Sequence, residues 1–257
     1  MPTATRPRAR TRSTKRFGID IGGTGIKGAP VDLRTGALVG ERVRILTPQP
    51  ALPDAVADVV KQVVDAFGWN GPVGCTFPGV VKEGVVTTAA NVDKKWIDLD
   101  ADALFTERLG MDVHLLNDAD AAGLAEVRYG AAKDRGGVVL LVTLGTGLGT
   151  ALFVDGHLVP NSELGHIEMD GKDAESLASE RARIESDQSW KKYAKHLDGY
   201  LGRLEAYLNP DLIVLGGGGS KKADKFLPLL KRTCEVVPAA LLNDAGIVGA
   251  AMEAGKA

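Results

Sequence analysis

Two short stretches of this 257-residue chain place glycines and hydroxyls where an anion could be held. Gly22-Gly23-Thr24-Gly25, with Lys27 just beyond, and Gly145-Thr146-Gly147-Leu148-Gly149-Thr150 each follow an apolar run that reads as a β-strand. Glycines let backbone N–H groups converge on a phosphate with no side chain in the way, and threonine hydroxyls add donors. Neither stretch is a Walker loop, because no Gly-Lys-Ser/Thr follows. The sixth position from Gly145 is Thr150, not the glycine of a dinucleotide fingerprint. Tight hairpins also use glycine, so a single turn would carry little; the pair points to phosphate binding. Asp20 closes the strand before the first turn. A carboxylate aimed at phosphates repels them unless a cation lies between, which makes Asp20 a candidate for Mg2+, held directly or through water. The plainer alternative is an Asx-type brace of the turn.

Two further groups can serve a polyol. Asn117-Asp118 stands where an apolar strand (113–116) gives way to a helix (119–129), the position at which α/β proteins expose functional groups. Asp118 can accept a hydroxyl proton and Asn117 can both donate and accept, although either could be an ordinary N-cap. Glu163-Leu164-Gly165-His166 adds a carboxylate and an imidazole across a glycine. Taken with the phosphate turns, these residues outline a sugar pocket beside a phosphoryl donor.

The elements that must position them follow a repeated plan. Residues 17–32 and 138–155 are both strand, glycine turn and second strand, with the same spacing from Asp20 to Asp32 as from Thr143 to Asp155. A turn and a third short strand (37–46; 158–159) follow in each. Between the hairpins, Pro53-Asp54 starts a helix with Val56, Val59, Val60, Val63 and Phe67 on one face. A long helix over about 187–208 carries Trp190, Ala194, Leu197, Leu201, Leu204 and Leu208 on one stripe and ends at Asn209-Pro210. Its aromatics read as core. Residues 211–215 form a strand, 216–219 a glycine turn, and a Lys-rich helix follows. Two hairpin-led halves with interleaved helices predict an α/β protein of two lobes.

In this order, Asp20-Ile21-Gly22-Gly23-Thr24, Asn117-Asp118, Gly145-Thr146-Gly147-Leu148-Gly149, Glu163-x-Gly165-His166 and Gly216-Gly217-Gly218 resemble the ROK family of bacterial sugar kinases and repressors. The resemblance covers nearly all of residues 17–255. It implies an actin-like ATPase (ribonuclease H-like) fold, two lobes around a central cleft with the sugar between them, and a homodimer. Residues 17–116 would form the small lobe, onto which a C-terminal helix at about 245–257 packs back, and 117–244 the large lobe. Asp118 would be the base that takes the proton from the sugar 6-hydroxyl, with Asn117, Glu163 and His166 holding other hydroxyls. Many relatives follow the Gly-His pair with a cysteine-rich zinc loop. Here Ile167-Glu168-Met169-Asp170 follows with no cysteine, so no zinc is expected. The chain rejoins the family pattern at Ala174-Glu175-Ser176-Leu177-Ala178-Ser179, which implies Glu175 as a further sugar ligand. The shortened loop and the segments Phe77-Pro78-Gly79-Val80-Val81, Ala90-Asn91-Val92-Asp93 and Trp96-Ile97 resemble the polyphosphate-using glucokinases of actinobacteria. They imply glucose as acceptor, Asn91 as another sugar contact, and inorganic polyphosphate or ATP as donor. Gly217, Gly218, Lys221, Lys222 and Lys225 are candidates for the donor's tail, with Lys231 and Arg232 further along, against the reading of a solvated lysine face.

Composition limits the alternatives. The net charge of −2 hides a basic start: Arg6, Arg8, Arg10, Arg12, Lys15 and Arg16 meet no acid in residues 1–16, which leaves the body at about −8. That tail reads as disordered, and an acidic body is no broad nucleic-acid binder. No run of eighteen apolar residues crosses a membrane, and no secretory signal opens the chain. Cys75 and Cys234, distant and in no metal-like spacing, fit a reducing cytoplasm. A strictly ATP-dependent glucokinase shares every residue named. A sugar-responsive regulator without kinase activity needs a helix-turn-helix domain that sixteen residues cannot supply. A filament-forming actin relative has no use for the polyol set.

Overall fold

The computed structural model describes residues 14–89 and 92–255. The first half runs β1 (Lys15–Ile21), β2 (Ile26–Asp32), β3 (Ala37–Leu38), β4 (Val43–Ile45), α1 (Pro53–Asp65), β5 (Val73–Phe77), β6 (Val81–Lys82), β7 (Val85–Val86), α2 (Ala101–Leu109), β8 (Val113–Asn117) and α3 (Asp118–Tyr129). The second runs β9 (Val138–Leu144), β10 (Leu148–Val154), β11 (His157–Val159), β12 (Glu168–Met169), β13 (Lys172–Asp173), α4 (Glu175–Ala178), α5 (Glu180–Glu185), α6 (Trp190–Leu208), β14 (Leu212–Gly216), α7 (Ala223–Phe226), β15 (Glu235–Pro238) and α8 (Ala245–Glu253).

The two main sheets repeat one topology. The first is ordered β3-β2-β1-β5-β8 and the second β11-β10-β9-β14-β15, each an antiparallel hairpin followed by two parallel pairings. The central parallel strands β5 and β14 are buried at every residue, as strands covered on both faces require. The hairpins differ in one respect that spacing hid. Asp20 pairs with Lys27 across a four-residue turn, whereas Thr143 pairs with Gly149 across a three-residue turn. The equal spacing is therefore offset by one residue of register.

Local chemistry sets most helix ends. Pro53 starts α1, and Val56, Val60 and Val63 face the first core. Ser189 caps α6 by accepting from Lys192 N, which starts that helix three residues later than its periodicity suggests, and Asn209 ends it in the left-handed region. Its Tyr193, Tyr200 and Leu201 are core, and Trp190 and Tyr193 pack against Phe226. The continuous Lys-rich helix expected after β14 is absent: a 3-10 turn over Gly219–Lys222, the single turn α7 and a second 3-10 turn at Leu227–Leu229 replace it. Glycine at the start and Pro228 in the final turn deny it a regular ladder. Strand β1 begins at Lys15, so Lys15 and Arg16 belong to the fold and not to the tail; the other tail residues named lie outside the described ones. Among the described residues no helix is long and apolar enough to cross a membrane.

Helices α3 and α8, which follow the last strand of each sheet, pack on one another, and α8 also lies on β1, β2 and β5. Glycine makes this approach possible. A Cβ on Gly249 would run into the Ala121 carbonyl, and one on Gly74 into the Ala250 carbonyl. Gly249→Ala is expected to lower the unfolding free energy by about 1–3 kcal/mol or more, since backbone and not a flexible side chain must yield. A thermal melt matching the parent's would contradict this packing.

Candidate active site

The first glycine turn is held through its carbonyls. Thr47 Oγ1 donates to the Gly22 carbonyl at 2.5 Å, Gln49 Nε2 to Gly23 O at 3.3 Å and Arg44 Nη2 to Thr24 O at 3.3 Å. Three successive carbonyls are thus occupied from one side. Gly22 N closes the turn onto Gly25 O at 3.1 Å, and Gly145 N closes the second turn onto Gly147 O at 3.0 Å. A side-chain carbon built on Gly23 or Gly145 would meet nothing within 4 Å, so both turns border open space. The N–H groups beyond each closing bond are available to an anion.

Asp20 lies at the root of the first turn. Its Oδ2 pairs with Lys27 Nζ at 2.7 Å, and its Oδ1 accepts from Thr76 Oγ1 at 3.1 Å. Thr76 in turn accepts from Ile21 N at 3.0 Å, which ties β5 to the end of β1. Among the described residues no group of three His, Cys, Asp or Glu side chains forms a metal cage. Mg2+ needs none: it is usually bound by one or two carboxylates, with phosphates and water completing the shell. Asp20 fits that demand, with Lys27 balancing its charge.

Asn117 and Asp118 start α3. Asn117 is the N-cap, accepting from Ala119 N at 2.8 Å and Asp120 N at 3.0 Å, while its amide donates to Gly79 O at 3.1 Å. Its acceptor is thus committed to structure and one amide hydrogen remains for a ligand. Asp118 Oδ1 accepts from Ala119 N at 2.8 Å, leaving Oδ2. Burial, then the neighbouring Asp20 charge, pushes the Asp118 carboxyl up to about 7. A group poised near neutrality is suited to exchanging a proton. Gly149 keeps α3 close to the second hairpin, since a Cβ there would lie 3.0 Å from the Ala119 side chain.

The other polyol candidates gather around Gly165. Glu163 Oε2 and His166 Nε2 stand 3.7 Å apart, beyond a hydrogen bond, so both keep capacity for a hydroxyl. His166 Nδ1 bonds Asp173 Oδ2 at 2.8 Å, and this bond raises the imidazole's affinity for a proton. Burial raises the Glu163 carboxyl. Glu175 Oε2 accepts from Leu148 N at 3.0 Å, so the implied sugar ligand also anchors the second glycine turn; its Oε1 lies 3.7 Å from Arg181. A Cβ on Gly147 would run into that carboxylate and displace it from Leu148 N. The segment after His166 folds as the β12–β13 hairpin, and its Asp173 is the imidazole's partner.

Asn91 lies outside the described residues. Gly217, at a φ of 76°, turns the chain directly after β14, against Leu144, and a Cβ on Gly218 would lie 3.0 Å from Glu180. Of the three lysines beyond, Lys221 lines a cavity with Arg42, Lys222 is exposed, and Lys225 pairs with Asp224 at 3.1 Å. Sequence reasoning missed Arg44, Thr47, Gln49 and Thr76, which hold the first turn, and Asp173, which holds His166. It also missed the clamp at Asn161. That side chain accepts from Val81 N at 3.1 Å and donates to Val81 O at 2.9 Å, while its own N–H bonds buried Asp120 at 2.7 Å. Only the left-handed φ tolerance of asparagine hinted at it.

Residues 16–177 match the ROK family. The polyphosphate glucokinase of Mycobacterium tuberculosis (strain CDC 1551 / Oshkosh) is 55% identical over 237 residues, covering 92% of this chain and 89% of that protein. Among solved structures, the inorganic polyphosphate/ATP-glucomannokinase of Arthrobacter sp. strain KM superposes with a TM-score of 0.91 at 53% identity, covering 93% of this chain and 98% of its own. A ROK family glucokinase from Streptomyces griseus, 24% identical, shares the fold with a TM-score of 0.82 over 95% of this chain and 100% of its own. With its repeated sheets, paired glycine turns and Asn-Asp helix start, the chain belongs to the ROK family and has that family's actin-like fold of two lobes.

Proposed function

We infer that this chain is a glucokinase that transfers the terminal phosphoryl group of inorganic polyphosphate, and of ATP as an alternative donor, to the 6-hydroxyl of glucose. The single observation that carries the reaction type is the placing of the Asp118 carboxylate at the start of α3, with one oxygen unused and near enough to Asp20, at the root of the first glycine turn, for their charges to interact. The donor is supported by the similarity to the mycobacterial and Arthrobacter enzymes, whose names state polyphosphate.

Glu163, His166, Glu175 and the spare amide hydrogen of Asn117 would bind the remaining hydroxyls, with Asn91 a further contact. Asp118 accepts the proton as the 6-hydroxyl oxygen attacks the terminal phosphorus. The bridging P–O bond breaks, and its electron pair leaves with the shortened chain or with ADP. The N–H groups of both glycine turns and the Lys27 ammonium meet the developing charge. Mg2+ held by Asp20 would neutralise phosphate charge. The protein would work as a homodimer, as the family resemblance implies, and in the cytoplasm, a reducing compartment that its two free cysteines fit.

Protonated Asp118 cannot act as base, so kcat/KM should fall about tenfold per pH unit below the Asp118 pKa, which is about 7 in the metal-free site and lower where Mg2+ offsets the Asp20 charge, and level off above it. The profile with saturating Mg2+ measures this. A flat profile from pH 5 to 8 would remove Asp118 from the role of base. Sizing by light scattering would test the dimer, and a monomer at working concentration would reject it.

A further inference from the structure

A chain of phosphates is longer than two glycine turns can cover, so its tail must leave the cleft along some surface. Asp20 faces Lys27 in the β1–β2 ladder, and Lys27 faces Arg44 in the β2–β4 ladder. Directly opposed residues share a face of the sheet, so these three form one row. Lys27 answers Asp20. Arg44, exposed, lies further out against the turn itself, its guanidinium filling the space beside Gly25. Arg42 directly precedes β4, two residues before Arg44. Arg42 lines a cavity of about 520 Å³ whose other walls are Gly36–Leu38, Lys221 and the 240–244 segment. That volume falls in the range of ordinary ligand sites. Asp244, the one carboxylate in its lining, is the ion-pair partner of Arg42.

Arg44, Arg42 and Lys221 thus continue a basic line from the reacting end of the donor into a cavity of ligand size. Lys222 and Lys225 do not line that cavity, and Lys225 is engaged by Asp224. On the reading that polyphosphate is the donor, we propose that its tail leaves the site over Arg44 and Arg42 into the cavity walled by Lys221, so that the β4 edge reads donor length. A polyanion here gains from each matched cation, much as nucleic acids do, and must displace Asp244 from Arg42.

The test compares KM for tripolyphosphate, long-chain polyphosphate and ATP at saturating glucose and varied salt. The variants are Arg42→Ala with Lys221→Ala, Lys222→Ala with Lys225→Ala, and Asp244→Asn. The first pair should raise KM for the long chain roughly tenfold or more and flatten its salt dependence, with tripolyphosphate changed about twofold or less. The second pair should resemble the parent. Asp244→Asn separates a donor track from a structural ion pair, because it should lower the long-chain KM; a structural pair would make it as harmful as losing Arg42. An unchanged length dependence in the first variant, or the loss appearing in the second, overturns the track while the function stands. A folded parent that uses ATP but no polyphosphate of any length overturns the donor reading and the track with it.

Discussion

Asp118→Asn should lower kcat for sugar phosphorylation roughly 10²–10⁴-fold while the dissociation constant for glucose changes only a few-fold. Asparagine keeps the size of the side chain and can still accept from Ala119 N, so α3 starts unchanged; what disappears is basicity. The same substitution should stabilise the fold in alkaline buffer. In the native chain Asp118 holds its proton up to about pH 7, whereas in the unfolded chain it releases it near 3.8. Between those values the folded state binds more protons, so stability falls as pH rises through the window, and the full cost of the buried charge stands above pH 7. Because the cleft admits water, the gain at pH 8 should be on the order of 1–3 kcal/mol, vanishing near pH 4. Quench-flow or steady-state kinetics with calorimetric glucose binding and denaturation at both pH values cover the expectation. Near-normal turnover, or a variant less stable than the parent at pH 8, would reject the assignment.

Glu126→Ala should cost about 2–3 kcal/mol of stability. This buried carboxylate on α3 accepts from Ala131 N at 2.7 Å and Ala240 N at 3.0 Å through one oxygen, and from Leu241 N at 2.7 Å through the other. Truncation leaves the N–H groups of half-buried Ala131 and Leu241 and of exposed Ala240 without their carboxylate partner. Glu126→Gln should fall between, since its single carbonyl serves only one side and its NH2 confronts the other. The 240–241 segment leads into α8, so glucokinase activity should fall with the fold and not ahead of it. Urea unfolding reads the loss; a change below about 1 kcal/mol would show that these bonds are redundant.

Much of the architecture was legible because it is local. The strand–glycine–strand runs became β1–β2 and β9–β10 within two residues, Asn117 capped α3, and the halves suggested by the repeat have the same sheet order. What stayed hidden depends on contacts distant in sequence. Arg44, Thr47 and Gln49 are ordinary residues of a polar stretch until the β2–β4 pairing brings them over the first turn. The one-residue offset between the hairpins is a matter of turn closure that equal spacing cannot reveal. The lysines after Gly219 looked like one helical face, but Pro228 and the glycine start broke the segment and left Lys221 alone on the cavity. For the polyol residues the types were readable, but their partners were not: Asp173 behind His166 and Leu148 N on Glu175 come from the β12–β13 hairpin and the second turn.

The reaction is tested by glucose 6-phosphate formation from glucose and Mg2+ with polyphosphate and with ATP, side by side on the purified protein. Product should appear with polyphosphate, with ATP as a second donor, and none without a donor. No sugar phosphate from either donor, with the protein folded, would rule out a glucokinase; product from ATP alone would rule out polyphosphate as the donor.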